Sequence, residues 1–536
     1  MKKIPFHPFL LGLYSALMML ASNVSQVVFS DTLRVFYLSL LLIVIVFFIS
    51  YLVIRDLQKA ALMSSLMLIL FFSYGHVYSV LQGAHIGPVL LGRTLVILPV
   101  YLLVLAIGAW WILTRLSDID KVTQTFNIVS LFLLIYPLYT ISAYYIKAEM
   151  IRSSQNVEIP IELSQKFHGE VPNIYYIILD MHARTDILQN IYGYDNSWFI
   201  DALKKMGFYI AEDSTSNYSS TLQSLSSSLN MEYINYLEDT YGSDSNNREP
   251  LGLLLAQNKV TSILKASGYK TGAFQTDDFY TEFRDANAYI KPTADQIRQY
   301  QNIWSLNSFE GVFVQTTLAR TLYDLGLMSS EVHIDKKIET PYQLHRLTIL
   351  NTVDHLADFA GEKQPYFVFA HLVTPHPPYI FGPNGEELQH DQPFSLSGPG
   401  RQNGGPKYMK LYVDQLHFTD EIILKTVEKI LAQSKTPPII IIQGDHGPVS
   451  YFGEDEVLKG NMKEQHAILN AYFFPGGKYD LLYPSVSPVN SFRIVLNTFF
   501  DGKYELLPDK NYFIPHARPF DFIDVTGRVA TDPLVP

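Results

Sequence analysis

Three short stretches of the chain carry side chains able to hold a cation and to supply an oxygen nucleophile. Asp180 closes an apolar run in IILDMHARTD, and Asp445, His446 and Gly447 follow another in IIQGDHGPVS. A hydroxyl-rich segment, NYSSTLQSLSSSLN, runs from Asn217 to Asn230. Two carboxylates and a neutral imidazole that converge form an N/O site for a divalent cation. Unpaired, the carboxylates repel one another, and a cation between them removes that cost. A hydroxyl held against the same cation loses its proton more readily. Asp180, Thr221, Asp445 and His446 are therefore expected to form a metal-activated oxygen nucleophile around one Zn²⁺ or Mn²⁺. Gly447 lets the backbone turn tightly beside it.

Each piece has a plainer reading. A strand-end Asp commonly caps a helix or forms a turn, DHG arises by chance, and Ser/Thr clusters are mostly loops. The signal lies in their order and their placement at strand ends. Ser219, Ser220 and Thr221 are consecutive, and only one can face the cation. Thr221 is favoured because it opens T-x-x-S ahead of Leu225 and Leu229, a helix start where free N–H groups can also bind an anion; the alternatives are its neighbours or a structural cap. His182 is placed either against substrate or on a surface loop. His466, and more weakly His516, are read as locally bonded residues rather than ligands of a second metal. Asp277-Asp278 is read as a solvated turn, and the 35 tyrosines as ordinary core and interface residues.

The elements that must position these groups are short apolar runs at Asn173–Asp180, Tyr366–His371, Pro438–Gln443 and Leu469–Phe474, with helical patterns around 251–266, 346–360 and 408–433. Strands alternating with helices predict a mostly parallel sheet with helices on both faces, and ligands sit beyond the carboxyl ends of such strands. The stretch 280–345 shows no strand pattern and reads as a helical insertion.

The amino-terminal quarter differs in composition. Residues 1–150 hold nine Lys/Arg and five Asp/Glu, leaving 31 and 46 for the remainder. Five stretches, 8–29, 35–54, 60–81, 94–114 and 125–146, contain no charged residue, and a span needs about 20 apolar residues. These predict five transmembrane helices over residues 1–146, a connector over 147–170 and an outer catalytic domain over 171–536. Lys2, Lys3, Arg55, Lys59, Arg115 and Lys121 fall on one side, against Arg34, Arg93, Lys147 and Arg152 on the other. That count predicts a cytoplasmic amino terminus and an extracytoplasmic catalytic domain in a plasma or inner membrane. Within the spans, His76 reads as a helix-bonding residue and Pro137 as a kink. A net charge of −11 without a basic tract excludes nucleic acid as a partner. With no cysteine, disulfides, thiolate metal sites and a cysteine-derived formylglycine are excluded.

These motifs resemble the alkaline phosphatase superfamily, and most of all its membrane-anchored sulfatase-like transferases: lipoteichoic acid synthase, phosphoglycerol transferases and phosphoethanolamine transferases. The resemblance is carried by Tyr175–Asp180, Tyr218–Asn230, HLVTPHPPY at His371–Tyr379 and Gln443–Gly447. It implies an alkaline-phosphatase-like α/β domain with Asp180, Asp445 and His446 as metal ligands and Thr221 as the nucleophile that carries the transferred group. It further implies Ser224 near substrate, and His371 and His376 on the substrate's phosphate or leaving group. Three departures stand out: Asp180 replaces the Glu usual in the transferases, the cysteines that brace the nucleophile helix in phosphoethanolamine transferases are missing, and so is the sulfatase signature Cys/Ser-x-Pro-x-Arg. The expected activity is transfer of a phosphoglycerol or phosphoethanolamine type of group from a membrane lipid to a glycan or lipid acceptor. A membrane-anchored phosphodiesterase or ester hydrolase, or a non-catalytic binding relative, is the alternative.

Overall fold

The computed structural model describes residues 4–24, 27, 29–87, 89–154, 171–300, 307–324, 334–390, 394, 396, 405–450 and 460–534. Lys2, Lys3 and most of the expected connector lie outside them. The chain divides into two compact units, residues 1–150 with 303–334, and residues 151–302 with 335–536.

The first unit contains α1 (His7–Ser22), α2 (Phe29–Ile54), α3 (Leu57–Leu81), α4 (Thr94–Thr114) and α5 (Ile119–Ser154). Helices α2 to α5 are long and apolar enough to cross a membrane. Helix α1 has 16 residues, fewer than the ~20 a span needs. It stops inside the stretch 8–29 because Asn23 caps it, the Asn23 amide bonding back to the Met19 carbonyl at 2.8 Å. The expectation of five spans thus becomes four long helices and one short apolar one. His76 is exposed on α3, and α5 continues through Pro137.

Part of the stretch 280–345 belongs to this first unit. Helix Ser308–Thr316 opens with a capping box between Asn307 and Glu310, which satisfies two end N–H groups reciprocally. Glu310, buried, also accepts from Arg34 Nε at 2.6 Å. Phe309 and Phe313 join a core cluster with Phe72 and Leu68. The stretch is not wholly helical, since it also contains a three-residue strand of the second unit.

The second unit is built on a seven-stranded sheet: β1 (Ile174–Leu179), β2 (Tyr209–Ile210), β3 (Lys270–Phe274), β4 (Ala288–Ile290), β5 (Tyr366–Leu372), β6 (Ile439–Gln443) and β7 (Asn470–Phe473), in the spatial order β2-β7-β6-β1-β5-β3-β4. Only β7 runs against the others. The sheet is therefore mixed but predominantly parallel. Alternate residues of β1 enter two different cores: Ile174, Tyr176 and Ile178 one, Tyr175, Ile177 and Leu179 the other. Burial on both faces explains why this strand reads as a continuous apolar run. Helices α6 (Thr221–Asn230) and α7 (Pro406–Gln433) cover opposite faces through Leu222, Leu225 and Leu229 on one side and Ile423, Val427 and Ile430 on the other. A shorter helix, α8 (Met462–His466), precedes β7.

Candidate metal centre

Four adjacent parallel strands, β6, β1, β5 and β3, end at one edge of the sheet, and polar groups collect there. Beyond β1 lies Asp180, whose N–H donates to the Leu372 carbonyl at 3.0 Å and whose carbonyl accepts from His376 N–H at 3.1 Å. Beyond β6 come Asp445 and His446. The turn between needs glycine at both ends: a Cβ at Gly444 would lie 2.5 Å from the His182 carbonyl oxygen, and one at Gly447 2.0 Å from that of Glu464. His371 is on β5, His376 follows it, and Asp278 follows β3.

Asp180, Asp445 and His446 are buried, and one ligand atom from each lies within 4.8 Å of the others. His446 Nε2 is 3.8 Å from Asp180 Oδ1 and 3.6 Å from Asp445 Oδ2. Its Nδ1 sits 2.9 Å from the Gly447 carbonyl. A proton on Nδ1 is donated there and leaves the Nε2 lone pair facing the carboxylates. Among the described residues, Asp180 Oδ1 and Asp445 Oδ2 are buried without a hydrogen-bond partner, an arrangement that is costly unless a cation satisfies it. Burial, then the charge of Asp445, pushes the Asp180 carboxyl above its ordinary pKa. The donor set of carboxylates and one imidazole fits a divalent cation such as Zn²⁺ or Mn²⁺.

Thr221 is the first residue of α6, and its Oγ1 lies 3.2 Å from His446 Nε2. Ser220 precedes it in an extended conformation and makes no side-chain cap, so the end of the helix faces the cluster with its first N–H groups uncapped. Ser224, expected beside substrate, is wholly buried and donates its hydroxyl to the Asp445 carbonyl at 2.7 Å, bracing the loop. His371 is buried, with Nε2 3.3 Å from Asp180 Oδ2 and Nδ1 2.8 Å from Thr281 Oγ1. Burial opposes charge on His371, yet the hydrogen bond and charge of Asp180, with the charges of Asp445 and Asp278, raise its pKa overall. His376 is joined to Asp180 through the backbone, and its Nδ1 contacts the Pro377 carbonyl.

The remaining candidates separate clearly. His182 is neither at the surface nor free for substrate: it is wholly buried with Nε2 2.7 Å from Asp420 Oδ1. His466 lies between the Met462 and Tyr512 carbonyls at 2.9 and 3.3 Å, and burial lowers its pKa to about 4. His516 is exposed. The pair at 277–278 is not a solvated turn: Asp277 bonds His345 at 2.5 Å, while Asp278 caps the turn at Tyr280 at 3.0 Å and acts electrostatically on His371. Sequence reasoning misses Thr281 and the polar residues of α7, since none stands in a motif.

The sulfatase family model matches residues 172–489, more than half of the chain. No curated protein matches it in sequence. Among solved structures, it is similar to the C-terminal periplasmic domain of EcEptC from Escherichia coli in complex with zinc, at 12% identity over 68% of this chain and 94% of that one, with a TM-score of 0.41. It is similar also to the lipooligosaccharide phosphoethanolamine transferase A (EptA) from Neisseria meningitidis, at 13% identity over 93% and 96%, with a TM-score of 0.39. The lipoteichoic acid synthase LtaP from Listeria monocytogenes gives 14% identity over 64% and 77%, with a TM-score of 0.37. From the extent of the family match, the chain belongs to the sulfatase family, within the alkaline phosphatase superfamily that its motifs resemble.

Proposed function

We propose that the protein transfers a phospho-alcohol group, of the phosphoglycerol or phosphoethanolamine class, from a membrane lipid to a glycan or lipid acceptor through a covalent Thr221 intermediate. The observation that carries this reading is the Thr221 hydroxyl, 3.2 Å from His446 Nε2 at the open end of α6. A divalent cation held by Asp180, Asp445, His446 and the Thr221 hydroxyl would neutralise the buried carboxylates and favour the Thr221 alkoxide. Thr221 Oγ1 gives up its proton and bonds to phosphorus; the bond from phosphorus to the lipid oxygen breaks, and that oxygen leaves as an alcohol. An acceptor hydroxyl then attacks the same phosphorus and releases Thr221. The amino end of α6 and His371 and His376 stabilise charge on the phosphoryl oxygens or leaving group. Four apolar helices hold the enzyme on the surface where a lipid donor is concentrated. In this reading the catalytic unit faces away from the cytoplasm.

One observation favours a second reading. Asp180 stands where the transferases that the motifs resemble carry Glu, as in hydrolytic members of the superfamily, so water can replace the acceptor alcohol. The test is incubation of the purified full chain with headgroup-labelled phospholipids and Mn²⁺ or Zn²⁺, beside Thr221→Ala. Label on the protein or on an added glycan supports transfer, and free headgroup supports hydrolysis. Turnover by Thr221→Ala equal to wild type removes Thr221 from the mechanism.

A further inference from the structure

One face of α7 holds both loops that carry the site. Tyr412, Gln415, Thr419 and Asp420 are wholly buried, and their spacing puts them along one stripe of the helix. The Tyr412 hydroxyl donates to the Met181 carbonyl at 2.8 Å and accepts from Ala183 N–H at 3.1 Å. Asp420 holds the ring of His182, the residue between them, at 2.7 Å. Met181 needs such support. Its φ of +66° is a conformation that side chains other than glycine adopt only when their surroundings enforce it. In that conformation its N–H donates to Asp445 Oδ1 at 3.1 Å.

Gln415 treats the other loop in the same way. Its Oε1 accepts from Ile380 and Phe381 N–H at 2.7 and 3.1 Å, and its Nε2 donates to the His376 carbonyl at 3.0 Å. Thr419 meets Thr374, two residues before His376, at 2.8 Å. Attachment of the helix does not require these groups, because Leu416, Ile423 and Val427 already bury it in two apolar clusters.

We propose that the polar stripe of α7 is a positioning device with two separable halves. Tyr412 and Asp420 set the Asp180–Met181–Asp445 side, which holds the cation; Gln415 and Thr419 set His376, which holds the phosphoryl group. The inference rests on the metal site proposed above.

The test uses the full chain in detergent, with Mn²⁺ alone and then orthophosphate on the Mn²⁺-loaded protein as probes, and Asp445→Ala as control. Tyr412→Phe is expected to weaken Mn²⁺ binding about tenfold and to speed amide exchange in residues 180–184. Gln415→Met is expected to leave Mn²⁺ binding unchanged, to weaken orthophosphate about tenfold, and to speed exchange in residues 374–381. Should either variant fail to fold, Asp420→Asn replaces the first and Thr419→Val the second, with the same selective losses expected. Parallel losses of both probes in both variants, or no loss in either, overturn the inference. Mn²⁺ binding by Asp445→Ala as tight as wild type overturns the metal reading itself, and the inference with it.

Discussion

The main-chain N–H of Met181 donates to Asp445 Oδ1 over 3.1 Å, while Asp445 Oδ2 is buried with no hydrogen-bond partner among the described residues. One oxygen is thus satisfied by backbone and the other is left to a cation. Asp445→Asn keeps an oxygen for Met181 but removes the charge that helps push the Asp180 carboxyl up. In chelator, relief of that repulsion is expected to make the variant more stable than wild type by about 1–2 kcal/mol. With Mn²⁺ at a hundredfold excess over its Kd, wild type gains about 2.7 kcal/mol by linkage and the order reverses. Scanning calorimetry with and without the ion reads both. The same order in both conditions excludes a cation shared by the two carboxylates.

Thr221 separates shape from chemistry. Thr221→Ser keeps the hydroxyl at the start of α6, and Thr221→Val keeps the volume without it. Loss of a nucleophile is expected to cost turnover at least about a thousandfold, so the Val variant falls by that much while the Ser variant stays within about tenfold. Acid-quenched protein exposed to headgroup-labelled lipid should carry label in wild type and Ser, and none in Val. Labelled Val protein would place the nucleophile on Ser219 or Ser220.

The parts of the fold that were legible are those whose pattern is set by burial alone. Strands β1, β5 and β6 are covered on both faces and appear as apolar runs. The two residues of β2 and three of β4 are too few for any period to show. At the site, Asp180 and Asp445-His446 were visible because each ends such a run. The contact of Ser224 with the Asp445 carbonyl was not legible, because a buried hydroxyl and a substrate-facing one look alike in sequence. Tyr412, Gln415 and Asp420 were invisible for the converse reason: polar residues on an amphipathic helix read as its solvent face, and only tertiary packing turns that stripe inward. The grouping of 303–334 with the amino-terminal helices likewise depends on long-range contacts.

That grouping has a direct check, because the chain contains no cysteine. Phe72 and Phe313 have ring centroids 5.9 Å apart, so Phe72→Cys combined with Phe313→Cys is expected to crosslink with a short thiol-reactive linker. Neither single variant should do so. A double variant that stays unlinked in the membrane, while both thiols react with a small maleimide after unfolding, removes helix Ser308–Thr316 from its place beside α3.

Two groups on the five-residue helix α8 titrate against one another across folding. Glu464, bonded by Tyr192 at 2.7 Å and by Ser450 at 2.9 and 3.1 Å, is pushed up to about 7 by burial, against those hydrogen bonds. His466 is pushed down to about 4 by burial. For Glu464, the native state keeps a proton between pH 4.5 and about 7 that the unfolded chain has lost. Stability therefore falls as pH rises through that window, by roughly 3 kcal/mol. For His466, the unfolded chain gains a proton between pH 6.5 and about 4 that the native state refuses, so stability falls as pH drops, again by roughly 3 kcal/mol. The two slopes oppose each other between pH 4.5 and 6.5, where the contributions of Glu464 and His466 cancel in wild type. Glu464→Gln should unmask stability that rises with pH from 4 to 6.5, and His466→Gln stability that declines from 4.5 to 7, both read by urea unfolding of the full chain in detergent. Flat profiles in both variants would mean that neither side chain changes its proton affinity on folding.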